Sequence, residues 1–332
     1  MAVAPLHPIA EANERSPFGD FTPDQFYDRH GITHSSSFMR NARGMNIFTQ
    51  SWLPIKNDHD SKQVMGIVCV VHGFTGESSW FVQLTAVAMA KQGFACCALD
   101  HQGHGLSDGL STHIPNIEPV LDDCQAFFSN FRSRFPPSLP AFLYAESLGG
   151  AMALFLHLRD KRSWSGLILN GAMCGISPRF KPPWPLEHLL WIAAAVAPTW
   201  RLVPTRGIPR ASFKEEWKFR LAVASPYRTA RKPRAGTALE LLRICKVLQE
   251  RFEEVEAPML VVHGEEDRVC DPKGVEELVR RAGSKDKTLK IYEGMWHQLV
   301  GEPQENVEKV FGDIINWLKE RATRARAHAG AQ

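Results

Sequence analysis

Apolar residues fall in short unbroken runs along this chain, separated by polar and glycine-bearing stretches. GIVCVVHG (66–73), FACCALD (94–100), AFLYAES (141–147), SGLILNGA (165–172), APMLVVHGEED (257–267) and KTLKIYEG (287–294) each have the length of one strand. Continuous apolar runs of this kind suit strands buried on both faces of a parallel sheet. Between them, WFVQLTAVAMAKQG (80–93), NIEPVLDDCQAFFSNFRSRF (116–135), LGGAMALFLHLRD (148–160), VEELVRRAG (275–283) and ENVEKVFGDIINWLKERA (305–322) carry helical spacing. MNIFTQSWLP (45–54) reads as an edge strand ending at Pro54. Strands alternating with helices of this length predict an α/β fold, a doubly wound and mostly parallel sheet.

Two stretches break the rhythm. Residues 1–40 are rich in Pro, His, Ser and charge and are expected to be a poorly ordered lead-in. Residues 173–236 are rich in Pro and Trp and offer few strand signals, so they cannot form a βαβ repeat. They are expected to be an inserted helical cap over the C-terminal edge of the sheet, where open α/β sheets bind ligands. The core is then 41–172 with 237–322, and 323–332 is a basic tail, the fraying end of a helix.

Of the 332 residues, 44% are apolar, enough for one large domain with an insertion. A net charge of +3 gives no concentrated basic face, and no nucleic-acid partner is expected. Seven cysteines, an odd number without a C-x-x-C pair, point to a reducing compartment and a cytoplasmic location. The first residues lack the basic and apolar segments of a secretory signal. The longest apolar run, LLWIAAAVA (189–197), is too short to span a bilayer.

The candidate chemistry sits at strand ends. In YAESLGG, Ser147 stands where a buried strand meets a helix, the setting of a nucleophile elbow. That turn needs small neighbours, which Ala145, Gly149 and Gly150 supply. The amide of Leu148 can face a developing oxyanion there, and HGFTG (72–76) lets the amide of Phe74 act as a second donor. A serine nucleophile needs a base, and the base needs an orienting carboxylate, in the chain order Ser, acid, His. Asp267 is favoured as the acid over Glu265, Glu266 and Asp271, the last being placed to cap a helix before Pro272. His297, after the last strand, is the base. His72 and His263 are read as core or supporting histidines. Asp100, His101, His104 and Asp108 lie in a glycine-rich loop read as rigid rather than as a metal site. No metal and no cofactor is expected.

HGFTGESSW, LDHQGHGLSDG, YAESLGGAMAL, VVHGEEDRVCDP and EGMWHQLV, in that order, resemble the α/β-hydrolase fold. More narrowly the set is similar to the plant monoacylglycerol lipase-like branch, which includes caffeoylshikimate esterase-like enzymes and is also called the serine aminopeptidase-like hydrolase family. The resemblance covers roughly residues 30 to 320. It implies Ser147 as nucleophile, Asp267 and His297 as its relay, and Phe74 and Leu148 as oxyanion donors. The family usually has Gly where this chain has Ala145. The activity expected is hydrolysis of a carboxylic ester through an acyl-serine, on a monoacylglycerol or a similar lipid-like ester. Three other readings stay open: a hydroxycinnamoyl esterase of the caffeoylshikimate type, an acyltransferase using the same triad, and a small-molecule receptor without turnover. Within the cap, Trp184, Leu189, Trp191 and Trp200 are the candidate substrate-binding residues. The same apolar stretch is expected to serve as an acyl channel or as a face for peripheral membrane contact. Oligomeric state is not legible.

Overall fold

Eight strands build one sheet: β1 (Ile32–Arg40), β2 (Asn46–Pro54), β3 (Gly66–Val71), β4 (Phe94–Leu99), β5 (Ala141–Glu146), β6 (Gly166–Asn170), β7 (Met259–Gly264) and β8 (Lys287–Tyr292). Their order is β1-β2-β4-β3-β5-β6-β7-β8. This computed structural model describes residues 5–55, 64–178, 186–201, 208–228 and 232–329. From β3 to β8 all pairings are parallel, while β2 runs antiparallel to both β1 and β4.

The helices are α1 (Pro23–Arg29), α2 (Phe81–Ala90), α3 (Glu118–Arg132), α4 (Leu148–Arg159), α5 (Leu186–Val196), α6 (Ile208–Ser212), α7 (Glu216–Ala224), α8 (Ala235–Glu250), α9 (Pro272–Arg281) and α10 (Gln304–Ala329). Both sheet faces are covered, which explains the unbroken apolar runs. On β3, Ile67, Cys69 and Val71 face the layer that includes α3, α4, α8 and α9. Val68 and Val70 face the layer of α1, α2 and α10. Each such fully buried valine or leucine contributes roughly 1.5–3 kcal/mol. All seven cysteines are free and buried, acting here as small core residues.

The amino-terminal expectation needs correcting. Thr22 and Gln25 cap α1 reciprocally, Thr22 Oγ1 accepting the Gln25 amide at 3.3 Å and Gln25 Oε1 accepting the Thr22 amide at 3.0 Å. Phe26 and Tyr27 of that helix are buried, and the Tyr27 hydroxyl donates to Gln83 Oε1 at 2.7 Å. Residues 32–40 form β1, so β2 is an inner strand and β1 the true edge. The basic tail continues α10 through Ala329. No helix among the described residues is long and apolar enough to cross a membrane.

Between β6 and β7 the alternation stops and α5, α6 and α7 appear. Leu190 and Ala193 of α5 pack on Ala235 and Ala238 of α8. The Trp80 indole N–H donates to the Leu221 carbonyl at 2.8 Å, tying α7 to the segment that leads into α2.

Candidate active site

β4 and β5 flank β3 on opposite sides, so the chain reverses its direction of travel across the sheet there. Crevices at such a reversal, beyond the strand C-termini, are where open α/β sheets hold ligands. Ser147 stands in this crevice, directly after β5, with φ 54° and ψ −118°. Left-handed φ is costly for a residue with a Cβ and persists only where the surroundings enforce it. Two bonds to β6 and its exit do so: the Ser147 amide donates to the Asn170 carbonyl at 3.0 Å, and the Met173 amide donates to the Ser147 carbonyl at 2.9 Å. Beyond the serine, close packing excludes side chains. A Cβ at Gly149 would overlap the carbonyl oxygen of Val71, and one at Gly150 would overlap Ala172. On the other side, Ala145 is fully buried in the core, in register between Val71 and Leu169.

Leu148 opens α4, so its amide has no acceptor within the helix and points with the positive end of the helix dipole. The turn after β3 abuts the serine. A Cβ on Gly73 would lie 3.0 Å from Ser147 Cβ, and Phe74 follows at once. Asp100 pins this turn: its Oδ1 accepts the amide and hydroxyl of Ser78, each at 2.7 Å, and its Oδ2 accepts the Leu106 amide at 2.8 Å. The loop of Asp100, His101 and His104 is thus a brace for the candidate oxyanion turn. The three rings of His72, His101 and His104 pack together, with 3.8 Å between the centroids of the first two.

Asp267 and His297 lie side by side. His297 Nδ1 donates to Asp267 Oδ2 at 2.7 Å, and both residues are buried. The other carboxylate oxygen accepts the amides of Val269 at 2.7 Å and Cys270 at 3.0 Å. His263 Nε2 also lies 3.0 Å from Asp267 Oδ2. Burial alone would raise the Asp267 carboxyl, but His297 and His263 outweigh it and hold the group below the ordinary carboxylate range. The rival acids have other tasks. Asp271 caps α9 by accepting the Lys273 amide at 3.1 Å, Glu265 accepts the Gly294 amide at 3.1 Å, and Glu266 accepts the Trp296 indole at 3.3 Å.

One link of the relay is not closed. No hydrogen bond joins Ser147 to His297; the Ser147 hydroxyl lies 3.9 Å from the Cys270 thiol. The two residues nonetheless flank the same strand end, since a Cβ on Gly171 would sit 3.4 Å from His297 Nδ1. Hydrogen bonds between nucleophile and base often tighten only when substrate is in place. Cys270 was not anticipated from sequence, although it lies three residues past Asp267. Asp267, Cys270 and His297 bring ligand-type atoms within 4.8 Å of one another. The facing atoms of Asp267 and His297 already bind each other, which leaves a poor donor set for a metal.

A family model described as Serine aminopeptidase, S33 matches residues 62–304. The chain belongs to the serine aminopeptidase S33 family. It is 34% identical over 307 residues to caffeoylshikimate esterase of Arabidopsis thaliana, covering 92% of this chain and 91% of that protein. It is 27% identical to monoacylglycerol lipase of Mycolicibacterium smegmatis, over 86% of this chain and 97% of the other. A soluble variant of monoglyceride lipase from Saccharomyces cerevisiae, solved with a substrate analog, superposes with a TM-score of 0.76 at 21% identity, covering 87% of this chain and 95% of that one. The fold is the α/β-hydrolase fold, and the chain is a hydrolase of the lipase and esterase type.

In this S33 chain the loop that carries His297 is held from two sides. Beneath it, Glu146 accepts the Tyr144 hydroxyl at 2.8 Å and the Gln298 side-chain amide at 3.5 Å, and Asn170 donates to the Tyr144 hydroxyl at 2.7 Å. Burial raises the Glu146 carboxyl. From the side of α6 and α7, the Gln298 amide donates to the Ser212 carbonyl at 2.8 Å, and the Glu215 amide to that of Gly301 at 3.0 Å. Lys218, buried, donates to the Glu302 carbonyl, while Glu302 Oε1 accepts the Trp296 amide at 2.7 Å. Burial pulls Lys218 down to about 8. None of these partners was singled out from sequence; buried Glu and Lys are visible as such only once the fold is known. Of the candidate cap residues, Leu189, Trp191 and Trp200 are exposed, Trp191 by 61%, and Trp184 lies outside the described residues.

Proposed function

We propose that this protein hydrolyses carboxylic esters through an acyl-serine intermediate. The observation that carries the reading is the left-handed Ser147, set between β5 and α4 at the same sheet edge as the 2.7 Å bond between His297 and Asp267. In the proposed reaction Ser147 Oγ attacks the acyl carbon and His297 Nε2 takes its proton. Asp267 holds the Nδ1–H and offsets the charge of the imidazolium. The amides of Leu148 and Phe74 receive the oxyanion. The C–O bond to the alcohol then breaks, and His297 returns the proton to the leaving oxygen. Water attacks the acyl-serine, again giving its proton to His297; the bond from the acyl carbon to Ser147 Oγ breaks, His297 returns that proton to Oγ, and the acid departs. The helices between β6 and α8 serve as the cap, and the exposed apolar side chains of α5 form its outer face.

For the substrate we take a hydroxycinnamoyl ester first and a monoacylglycerol second, reversing the order expected from sequence. The relative at 34% identity is a caffeoylshikimate esterase, and the monoacylglycerol lipase stands at 27%. Fluorophosphonate labelling with Ser147→Ala as control, followed by a panel of esters, tests both parts. The parent protein should label and turn over, and the variant should lose labelling and about 10⁴-fold or more in kcat. An unlabelled parent protein would remove the hydrolase reading in favour of a receptor. Ester exchange outrunning hydrolysis when an alcohol is added would make it an acyltransferase. Faster turnover of long-chain monoacylglycerols than of hydroxycinnamoyl esters would restore the earlier order.

A further inference from the structure

A buried line of polar side chains joins the amino-terminal segment to the candidate active site. His7 is fully buried, directly ahead of a 3-10 turn at Pro8–Glu11. Its ring packs on that of Phe311 in α10, with 4.2 Å between centroids. Its Nδ1 accepts the Ile9 amide at 3.2 Å, and its Nε2 lies 3.2 Å from the Thr85 hydroxyl of α2. Burial, aided by Lys218 and Lys91, holds the ring well below its ordinary value, so it is neutral near pH 7. A neutral ring that accepts at Nδ1 carries its proton on Nε2, so His7 donates to Thr85. Thr85 in turn hydrogen-bonds the Tyr144 hydroxyl of β5. That hydroxyl also accepts the Asn170 side-chain amide at 2.7 Å, and it donates to Glu146 Oε1 at 2.8 Å.

These donors all point one way, towards Glu146. The carboxyl accepts at both oxygens, from Tyr144 at Oε1 and from the Gln298 side chain at Oε2. A carboxyl that only accepts is an ionised one. Burial pushes this group up, and Tyr144, Gln298 and the charge of His297 pull against burial. The groups that face it come from several elements: Tyr144 from its own strand, and Gln298 and His297 from the loop after β8. Thr85 of α2 and Asn170 of β6 act on it through Tyr144. The interaction with His297 is mutual: an ionised Glu146 favours the imidazolium as much as the imidazolium favours it. Two strand ends thus aim carboxylates at the same ring. Asp267, after β7, bonds it directly at Nδ1, and Glu146, at the end of β5, acts across a short buried gap.

We propose that Glu146 is a positioning residue for His297, a second carboxylate that offsets the imidazolium charge through space, anchors the loop through Gln298, and is itself aligned by the hydrogen bonds running inward from His7. This deepens the hydrolase reading above and rests on it. In that reaction His297 becomes an imidazolium twice, once in each attack, and a fixed negative charge nearby lowers both barriers. The gap is buried, so the charge is screened less than it would be in water. The amino-terminal segment then has a task in the site: its docking on α2 and α10 orients the first donor of the line.

The test is steady-state kinetics with phenyl butyrate across a range of pH. Glu146→Gln removes the charge and keeps the shape. Near neutral pH its kcat should fall about 10- to 100-fold with KM nearly unchanged. The acid limb of kcat/KM should move to lower pH by about half a pH unit, because the imidazolium has lost a neighbouring charge. Glu146→Asp keeps the charge on a shorter arm and should recover part of both effects. Tyr144→Phe and His7→Leu leave the charge and remove a donor, so kcat should fall less, and less for His7 than for Tyr144. A parental kcat in Glu146→Gln would overturn the proposal, since glutamine mimics a protonated carboxyl and its silence would mean a neutral Glu146. A fall in kcat with the acid limb in place, equal in the Gln and Asp variants, would overturn it too, because packing alone gives that result. If Glu146→Gln fails to fold, Tyr144→Phe decides: an unchanged kcat there overturns the proposal. Fluorophosphonate labelling of the parent protein reads the hydrolase separately. A labelled Ser147 with a silent Glu146→Gln sinks the role of Glu146 alone, and an unlabelled Ser147 sinks the hydrolase reading.

Discussion

At the C-terminal edge of the sheet, the two buried aspartates are fully bonded. Asp267 is bonded by His297, His263 and two backbone amides, and Asp100 by Ser78 and the Leu106 amide. In the segment between β6 and α8, Leu189, Trp191, Ile192, Val196 and Trp200 are exposed, and the buried Nε of Arg228 has no partner. Packing and hydrogen bonds hold the geometry of the edge, although His104 Nε2, His263 Nδ1 and Asn170 Oδ1 have no partner. The cap leaves groups unsatisfied that something else can satisfy. In the function proposed above, chemistry that depends on sub-ångström placement would sit on the first kind of structure, and choice of substrate on the second.

The most damaging way to break the edge is to add one methyl group. A Cβ at Gly149 meets the backbone oxygens of Val71 and His72, neither of which is a flexible side-chain end. For Gly149→Ala, α4 must move away from β3 and carry Ser147 with it. We expect a loss of about 3 kcal/mol or more in denaturant unfolding, with labelling of Ser147 lost along with it. A loss under about 1 kcal/mol would mean that the elbow is looser than its contacts suggest.

Next in size is a pH effect from the brace behind the candidate oxyanion turn. Burial lowers His104 to about 4, and its Nε2 has no partner. The unfolded chain takes up this proton below about pH 6.5, whereas the folded chain holds it off until about pH 4. Between those values the unfolded state binds more protons, so stability falls as the pH drops through that window and levels off below it. His104 alone contributes about 3 kcal/mol to the fall. Burial lowers His72 and His101 as well, and they steepen it. Unfolding curves of His104→Gln should show a shallower slope between pH 6.5 and 4; a slope parallel to the parent's would show that His104 is hydrated in solution.

The same contrast explains what could be read from the chain alone. β3 to β7 announce themselves because burial on both faces fills them with apolar residues, as in GIVCVV, and leaves polar ones such as Glu146, Asn170 and His263 to the strand ends. Ser147, Asp267 and His297 follow from those strands, because the edge fixes their order. β1 was missed for a physical reason. ITHSSSFMR has one buried residue, and it joins β2 by polar pairs: Ser35 to Ser51 at 2.7 Å, Ser37 to Thr49 at 3.1 Å and His34 to Gln50 at 2.9 Å. Nothing in such a pattern separates an edge strand from a loop. Arg228 and Lys218 were invisible for the opposite reason, since a buried cation has the same letter as an exposed one.

The smallest effect expected is in the cap. Trp191 is 61% exposed, so truncating it removes little packing. Trp191→Ala should change unfolding stability by no more than about 0.5 kcal/mol and leave the rate of fluorophosphonate labelling as it was. If the outer face of α5 meets apolar substrate, KM for a long-chain monoacylglycerol should rise while KM for an acetate ester does not. A stability loss above about 1 kcal/mol would place Trp191 against another surface in solution, and a concentration-dependent Tm would identify that surface as a second copy of the chain. The cap would then no longer be a face awaiting a ligand, and the contrast with the sheet edge would rest on Arg228 alone.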